Sequence, residues 1–322
     1  MKKDKNNLPL VSIITPVYNR SKYVEETMRS ILDQDYDNLE YILIDDGSTD
    51  NSSEVVHKVI ATYKNTKKRI YFFKQKNIGE TKTDNNGFKK AKGEIISVVN
   101  SDDLLLPGAV TYMVKYLVEH PDVLATYPDM RIIDSESRQM FTGRAHEYDY
   151  RYMLKFFVCI VGYGAFFNRK ALDLTKGRDP SFKYVADFDF WLRLGMYGKL
   201  MRIPKVLAAG RSHPDSQTQY TNGDAMANEH IRLVKKTFAN KDLPKEFLSL
   251  KRYSFSQTYL MAGLWSFSKN KAIKSFIKSF YYHPRNFTLK LRTILRHFKK
   301  KQEGKKNRSF LGNILFFLGE IF

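Results

Sequence analysis

The stretch Gly93–Pro107, GEIISVVNSDDLLLP, decides how this chain is read. Apolar and β-branched residues from Ile95 to Val99 stop abruptly before two adjacent carboxylates, Asp102 and Asp103, and a short apolar segment leads on to Pro107. The pattern predicts a buried strand that empties into an acidic loop. A strand apolar on both faces belongs in a parallel sheet covered on each side by helices, and ligands of such sheets collect outside the carboxyl ends of the strands. Two carboxylates side by side repel, so the pair either holds a cation or forms an acidic turn leading into a helix with Pro107 at its first helical position. The stretch alone leaves both readings open.

Upstream segments repeat the design. Residues 10–18, LVSIITPVY, read as a strand ending in Asn19-Arg20, with Ser21 as N-cap of a helix whose apolar positions Val24, Met28, Ile31 and Leu32 recur at helical spacing. In YILIDDGSTD a strand over Tyr41–Ile44 runs into Asp45-Asp46 and Gly47, and Asp50 caps a helix carrying Val55, Val56, Val59 and Ile60. A third strand, Arg69–Phe73, precedes the polar loop KQKNIGETKTDNNG and a helix within Thr81–Lys92. Strands alternating with helices imply a parallel α/β sheet with right-handed crossovers. Three strands then deliver Tyr18 and Asn19, Asp45 and Asp46, and Asp102 and Asp103 to one sheet edge. No glycine-rich phosphate loop follows the first strand, which argues against dinucleotide-binding oxidoreductases and ATPases. A nucleotide whose phosphates are not cradled by backbone amides needs a metal for its diphosphate, and carboxylate-bound Mg²⁺ or Mn²⁺ is the usual solution.

The bulk composition narrows the partners. With 322 residues, 43% of them hydrophobic, the chain can bury a large core. Its net charge of +20 suggests nucleic acid until it is located: Ile231–Phe322 holds 21 Lys and Arg against 4 Asp and Glu, leaving +3 for residues 1–230. The charge argument therefore applies to the C-terminal segment alone, and no nucleic-acid recognition motif accompanies it. The single cysteine, Cys159, reads as a buried structural thiol and suits a reducing compartment. The opening residues lack the apolar centre of a signal peptide, and no apolar run reaches the ~20 residues that cross a bilayer.

The order VSIITPVYN, ILIDDGSTD, NIG and VVNSDD with a proline soon after resembles glycosyltransferase family 2, whose members are inverting nucleotide-sugar transferases of the GT-A fold. The resemblance covers roughly residues 9–215. It implies an α/β fold with a Rossmann-like mixed sheet flanked by helices, a catalytic domain over residues 1–227, and a basic helical extension over 228–322. It further implies that Pro16, Tyr18, Asn19 and Asp46 hold the nucleobase end of a nucleoside diphosphate sugar, UDP in first place. Asn77 and Gly79 would line the nucleotide pocket, Asp102 would contact the ribose region, and Asp103 would ligate Mn²⁺ or Mg²⁺. Bland readings stand beside these: Tyr18 as a strand-end aromatic, Asp46 as a turn former before Gly47, and Asn77-x-Gly79 as ordinary turn chemistry. Two departures matter. Asp84 stands where many relatives have the arginine of A-R-N-x-G, and Asn100 stands where many have the first Asp of D-x-D-D.

Downstream, a helix to about His120 and a strand over Val123–Tyr127 are expected, followed by an aperiodic polar and aromatic stretch from Asp129 to Tyr152. Gly162-Tyr163-Gly164-Ala165 with FFNRKAL resembles the family's acceptor-side strand and helix. In YVADFDFWLR, Asp187 opens a helical segment and matches the family's catalytic base, although Ala186 replaces the usual preceding Glu; Asp189 is expected to face solvent. Gly210-Arg211-Ser212-His213 resembles the Arg-x-His segment, with His213 either completing the metal or diphosphate site or lying on the surface. The Q-x-x-R-W signature of processive synthases is absent, so addition of one sugar is expected. Paired helices are expected within YSFSQTYLMAGLWSFSKNKAIKSFIKSFYYHP. The basic tail ending in apolar Phe310–Phe322 reads as an interfacial helix on anionic lipid or as a segment packed on protein. These features together imply a peripheral enzyme on the cytoplasmic membrane face with a saccharide or lipid-linked saccharide acceptor. A nucleotidyltransferase and a catalytically inactive family member remain as alternatives.

Overall fold

The computed structural model describes residues 8–216 and 223–290. These fall into two compact units. The first comprises residues up to 148 together with 160–186 and 193–211, and the second 149–159, 187–192 and the chain from 212 onward.

The first unit is built on a nine-stranded sheet. Strands β1 (Val11–Val17), β2 (Leu39–Asp45), β3 (Arg69–Lys74) and β4 (Ile95–Val98) are parallel in the order β3-β2-β1-β4. Helices α1 (Val24–Leu32), α2 (Ser52–Thr62) and α3 (Glu80–Lys90) connect them. Every residue of β1 and β2 is buried, as expected of central strands covered on both faces, whereas edge strand β3 alternates. The polar exceptions inside are satisfied: Ser12 Oγ donates to Glu40 Oε1 at 2.6 Å, and Glu40 also accepts the Lys92 and Gly93 amides. Gly93 is required there, because a Cβ would lie 2.5 Å from the Ser12 nitrogen.

Beyond β4 the chain forms β5 (Leu104–Leu105), α4 (Ala109–Glu119), β6 (Val123–Ile133), β7 (Gln139–Gly143), α5 (Tyr150–Phe156), β8 (Phe166–Asn168), α6 (Lys170–Thr175), α7 (Ala186–Leu194) and β9 (Lys199–Arg211). The sheet continues β4-β8-β6-β9-β5, with β7 on β6. Strand β8 runs antiparallel to β4 and β6 while β9 is parallel to β6, so the sheet is mixed. An apolar cluster joins β1 and β2 to α1, α2 and α4 through Ile13, Met28, Tyr41, Val56 and Met113.

Local expectations fail at several points. Asn51, not Asp50, stands in the N-cap position of α2, and Asp50 accepts the Ser21 and Ser52 amides at 3.0 Å each. Ser21 does not cap α1: Tyr23 occupies that position without a side-chain hydrogen bond, and the Ser21 amide instead donates to Asp50 Oδ2. The stretch after Asp129 is not irregular at its start, since β6 continues to Ile133 and pairs with β7. Its charges concealed the strand. Arg202 grips Asp129 with two hydrogen bonds of 2.8 and 2.6 Å and reaches Glu147 at 2.5 Å, so both buried charges are paired within the sheet.

The second unit is helical. Its α9 (Lys251–Trp265) is buried nearly all round, and packs against α5, α8 (Gly223–Ala239) and α10 (Lys269–Tyr282). Gly263 lets α9 and α10 approach closely, because a Cβ there would meet the Phe276 ring at 2.5 Å. The short α11 (Pro284–Leu289) is tied down by Asn286, whose Nδ2 donates to Ser256 Oγ at 3.0 Å. Cys159 is half-buried rather than buried. The tail segment Phe310–Phe322 lies outside the described residues.

Candidate active site

Because β2, β1 and β4 are adjacent and parallel, their carboxyl ends share one edge, and Tyr18, Asn19, Asp46, Asp102 and Asp103 all follow from it. The ladder between β1 and β4 stops at Ile14–Val98, two residues before Pro16. Proline has no N–H to extend that ladder, and the sheet opens at this point. Pro16 itself is buried within β1, and Tyr18 beyond it is 45% exposed. Asn19 adopts a left-handed conformation (φ 52°) that asparagine tolerates. Its side-chain oxygen accepts the Thr49 amide at 2.8 Å and its own amide donates to Ser48 Oγ, which stitches the β1 and β2 ends together.

The two acids at the end of β2 have different duties. Asp45 accepts the Ser48 amide at 2.8 Å and the Ser53 hydroxyl, so it organises the start of α2. Asp46, almost fully buried, accepts Gln75 Nε2 at 2.8 Å and the amides of Ile78 and Gly79, each at 2.9 Å. It thereby shapes the loop that presents Asn77 and Gly79, both exposed. A carboxylate has about four acceptor positions, so Asp46 keeps room for one more donor. Gly47 (φ +77°) is required beside it, since a Cβ would lie 2.8 Å from the Asn77 nitrogen.

After β4, Asp102 is half-buried and accepts Arg20 Nε at 3.0 Å. Asp103 is buried; its carboxylate accepts the Arg211 amide at 3.0 Å and Asn100 Nδ2 at 3.1 Å. Burial, then the neighbouring Asp102 charge, hold the Asp103 carboxyl well above the usual carboxylate range. Two adjacent carboxylates in this state fit a hard divalent cation, which would relieve both the desolvation and the repulsion. Among the described residues no group of three His, Cys, Asp or Glu side chains is gathered as a metal cluster.

In the second unit, Asp187 lies in the first turn of α7, exposed, with Oδ1 accepting the Phe188 amide at 2.7 Å. Asp189 overturns its expectation. It is 2% exposed, and Lys236 Nζ of α8 lies 2.5 Å from its carboxylate. Two residues along a helix is about 200° of rotation, which turns Asp189 into the unit while Asp187 faces out. His213 is not a surface residue either: it is 2% exposed, and its amide donates to Ser216 Oγ at 3.3 Å.

Residues 12–174, just over half of the chain, match the model of glycosyl transferase family 2. The chain belongs to that family. Within it, the chain is 28% identical over 250 residues to a chondroitin synthase of Escherichia coli, a match covering 77% of this chain but 34% of that protein. Among solved structures, a mannosyltransferase of Pyrobaculum calidifontis in complex with GDP-Man and Mn²⁺ superposes with a TM-score of 0.63 at 18% identity, covering 93% of this chain and 86% of that one. Staphylococcus aureus TarS in complex with UDP-GlcNAc gives 0.56 at 16% identity, with 84% and 91% covered. The mixed sheet with flanking helices is thus a GT-A fold, and the C-terminal helices are present.

Sequence reasoning gave no role to two arginines beside the acidic pair, although Arg211 stands in the segment that resembles Arg-x-His. Arg20 neutralises Asp102, and Arg211 holds the main chain of the acidic loop, with Nε donating to the Asp102 carbonyl at 2.9 Å. A signal for the first was present: an arginine directly after VYN lies at the same strand-end edge as the acids. Arg211 is brought there by β9, from more than a hundred residues away, and local pattern does not reach that far.

Proposed function

We propose that this chain transfers one sugar from a nucleoside diphosphate sugar, UDP in first place, to a hydroxyl of a saccharide or lipid-linked saccharide, with inversion and with a divalent metal, in the building of surface polysaccharide or glycoconjugate. The observation that carries the proposal is the shared edge of β2, β1 and β4, where exposed Tyr18, part-filled Asp46 and the Asp102–Asp103 pair follow one another. Further support comes from the donors named with the structural neighbours, GDP-Man and UDP-GlcNAc, and from the Mn²⁺ of the first.

In this reading Tyr18 stacks on the base and Asp46 accepts a base N–H in its remaining position. Asn19, Asn77, Gly79 and the buried Pro16 shape the same end. Asp103, with His213 as a candidate partner, holds the metal, and Asp102 meets the ribose. Bound there, a divalent ion supplies charge neutralisation for the diphosphate. Asp187 accepts the proton of the acceptor hydroxyl while that oxygen attacks the anomeric carbon opposite the diphosphate. The bond to the diphosphate breaks, and its electron pair leaves with the nucleoside diphosphate. A general base of this kind contributes on the order of 10²–10⁴-fold. One displacement inverts the anomeric centre, so an α-linked donor gives a β-glycoside. The basic C-terminal segment brings the enzyme to the cytoplasmic membrane face, where a lipid-linked acceptor lies.

The test is a panel of nucleotide sugars with and without Mn²⁺, read by thermal stabilisation and by slow donor hydrolysis. Stabilisation by one nucleoside diphosphate sugar, dependent on the ion, is expected. A chain stabilised by none of them is not a transferase of this kind.

A further inference from the structure

Helix α10 buries Ala272, Phe276 and Ser279 on one side, against α9. Its opposite side is apolar too. Ile273 is 53% exposed, Ile277 63%, Phe280 49% and Tyr281 74%, and their spacing of four, three and one residues gathers them into one stripe about 100° wide. Lys269 flanks the stripe on one side and Lys274 and Lys278 on the other, all exposed. From Lys269 to Lys290 there are six Lys and Arg and no acidic residue. Leu289, at the end of α11, adds a further apolar side chain that is 72% exposed.

A soluble surface does not ordinarily leave four large apolar side chains in one stripe. Charge selects the occupant. Residues 291–308 of the chain carry eight Lys and Arg against one Glu, and a second copy would present the same lysines, so both meet this side of the helix with like charge; the apolar end Phe310–Phe322 carries a single Glu, far short of a counter-charge for the six Lys and Arg of Lys269–Lys290. An anionic bilayer satisfies both halves: phosphates for the lysines and an acyl boundary for the stripe.

We propose that the exposed side of α10 is itself a membrane-docking surface, lying in the headgroup layer of anionic lipid with Ile273, Ile277, Phe280 and Tyr281 inserted. This deepens the membrane-surface part of the proposed function but does not depend on the final apolar stretch Phe310–Phe322. Each lysine near the lipid surface strengthens binding by about five-fold, the equivalent of ~1 kcal/mol, and the inserted side chains add to it.

The experiment is co-sedimentation of the full chain with vesicles of phosphatidylcholine alone or mixed with phosphatidylglycerol. Three proteins are compared: the wild type, a variant combining Ile277→Glu with Tyr281→Glu, and one combining Phe316→Glu with Phe317→Glu. Circular dichroism and thermal unfolding check that each is folded. The wild type should bind only the anionic vesicles, and the α10 variant should bind at least about ten-fold more weakly. Wild-type-like binding by the α10 variant, with loss only in the Phe316/Phe317 variant, overturns the inference and leaves tail-mediated docking standing. A wild type that binds no vesicles removes both. A wild-type dimer that the α10 variant dissolves, with vesicle binding unchanged, also overturns it and assigns the stripe to self-association.

Discussion

The backbone amide of Arg211 donates to Asp103 Oδ1 at 3.0 Å while the side chain of the same residue donates from Nε to the carbonyl of Asp102 at 2.9 Å. One residue of β9 thus holds both members of the acidic pair. The arginine is in turn immobilised: its fully buried guanidinium also reaches the Asp134 carbonyl, Ser137 Oγ at 2.8 Å and Glu26 Oε2 at 2.6 Å. It supplies the acidic loop with fixed geometry and a compensating charge together.

Replacing Arg211 should therefore cost both stability and donor binding. Arg211→Ala leaves several acceptors without their donor, and a loss of about 2–4 kcal/mol is expected from urea unfolding. Glu26 is 44% exposed at its side chain and can return to water, which keeps the loss below that of a fully buried pair. Arg211→Lys should recover little, because an ammonium cannot reproduce the planar fork that serves four partners.

Asp103→Asn should separate folding from function. The amide oxygen can still accept the Arg211 N–H, and removal of the buried carboxylate lifts first the burial penalty and then the Asp102 repulsion that raise the Asp103 carboxyl. Thermal unfolding should occur at or above the wild-type temperature. Stabilisation by nucleotide sugar with Mn²⁺ should vanish. Retention of that metal-dependent stabilisation would remove Asp103 from the metal site.

Asp187→Asn tests the base. The side chain is exposed and its one internal hydrogen bond, from the Phe188 amide, can be kept by the amide oxygen. Folding and donor binding should stay near wild type while transfer falls on the order of 10²–10⁴-fold. Transfer at the wild-type rate would show that another group takes the proton.

How far the sequence was legible depends on the range of each interaction. The strands β1, β2 and β4 announced themselves as apolar runs ending in polar or acidic residues, and their parallel order brings Tyr18, Asp46 and Asp103 to one sheet edge, as the strand pattern predicts. Strand β6 was cut short at Tyr127 because Pro128, Asp129 and Arg131 read as loop, and the partner that legitimises Asp129 is Arg202, seventy-three positions on. Asp84 illustrates the same limit. It stands where many relatives have arginine, and the structure pairs it with Arg178 from the segment after α6, a relationship no local reading contains. Asp189 was misread as facing solvent because its counter-ion, Lys236, belongs to a helix some forty-seven positions away.

That last pair yields a stability prediction. Lys236→Met takes a cation away from the buried Asp189 carboxylate, a change that costs ~3–5 kcal/mol in a fully buried pair. Lys236 is 39% exposed at its side chain, so water reaches the pair from one side and about 1–3 kcal/mol is expected instead. Combining Lys236→Met with Asp189→Asn should recover part of the loss, which a double-mutant cycle on urea unfolding would measure.

The second unit should also carry an acid-sensitive histidine that has nothing to do with catalysis. His230 of α8 has its ring 4.7 Å from Trp265 and 6.2 Å from Phe188, and Nδ1 lies 2.9 Å from the Met226 carbonyl. Burial among these rings lowers its pKa from 6.5 to about 4, with the Met226 hydrogen bond opposing. The folded state therefore disfavours the proton that the unfolded chain accepts. Stability from this residue is full above pH 6.5, is lost as the pH falls toward 4, and does not change further below that. The residue is only partly buried, so the loss is on the order of 2 kcal/mol, below the roughly 3 kcal/mol that the whole shift would give at ~1.4 kcal/mol per unit. Urea midpoints at pH 7, 5.5 and 4.5 should fall more steeply for the wild type than for His230→Gln. The difference between the two proteins removes the carboxylate titrations they share, and parallel curves would place the acid sensitivity elsewhere.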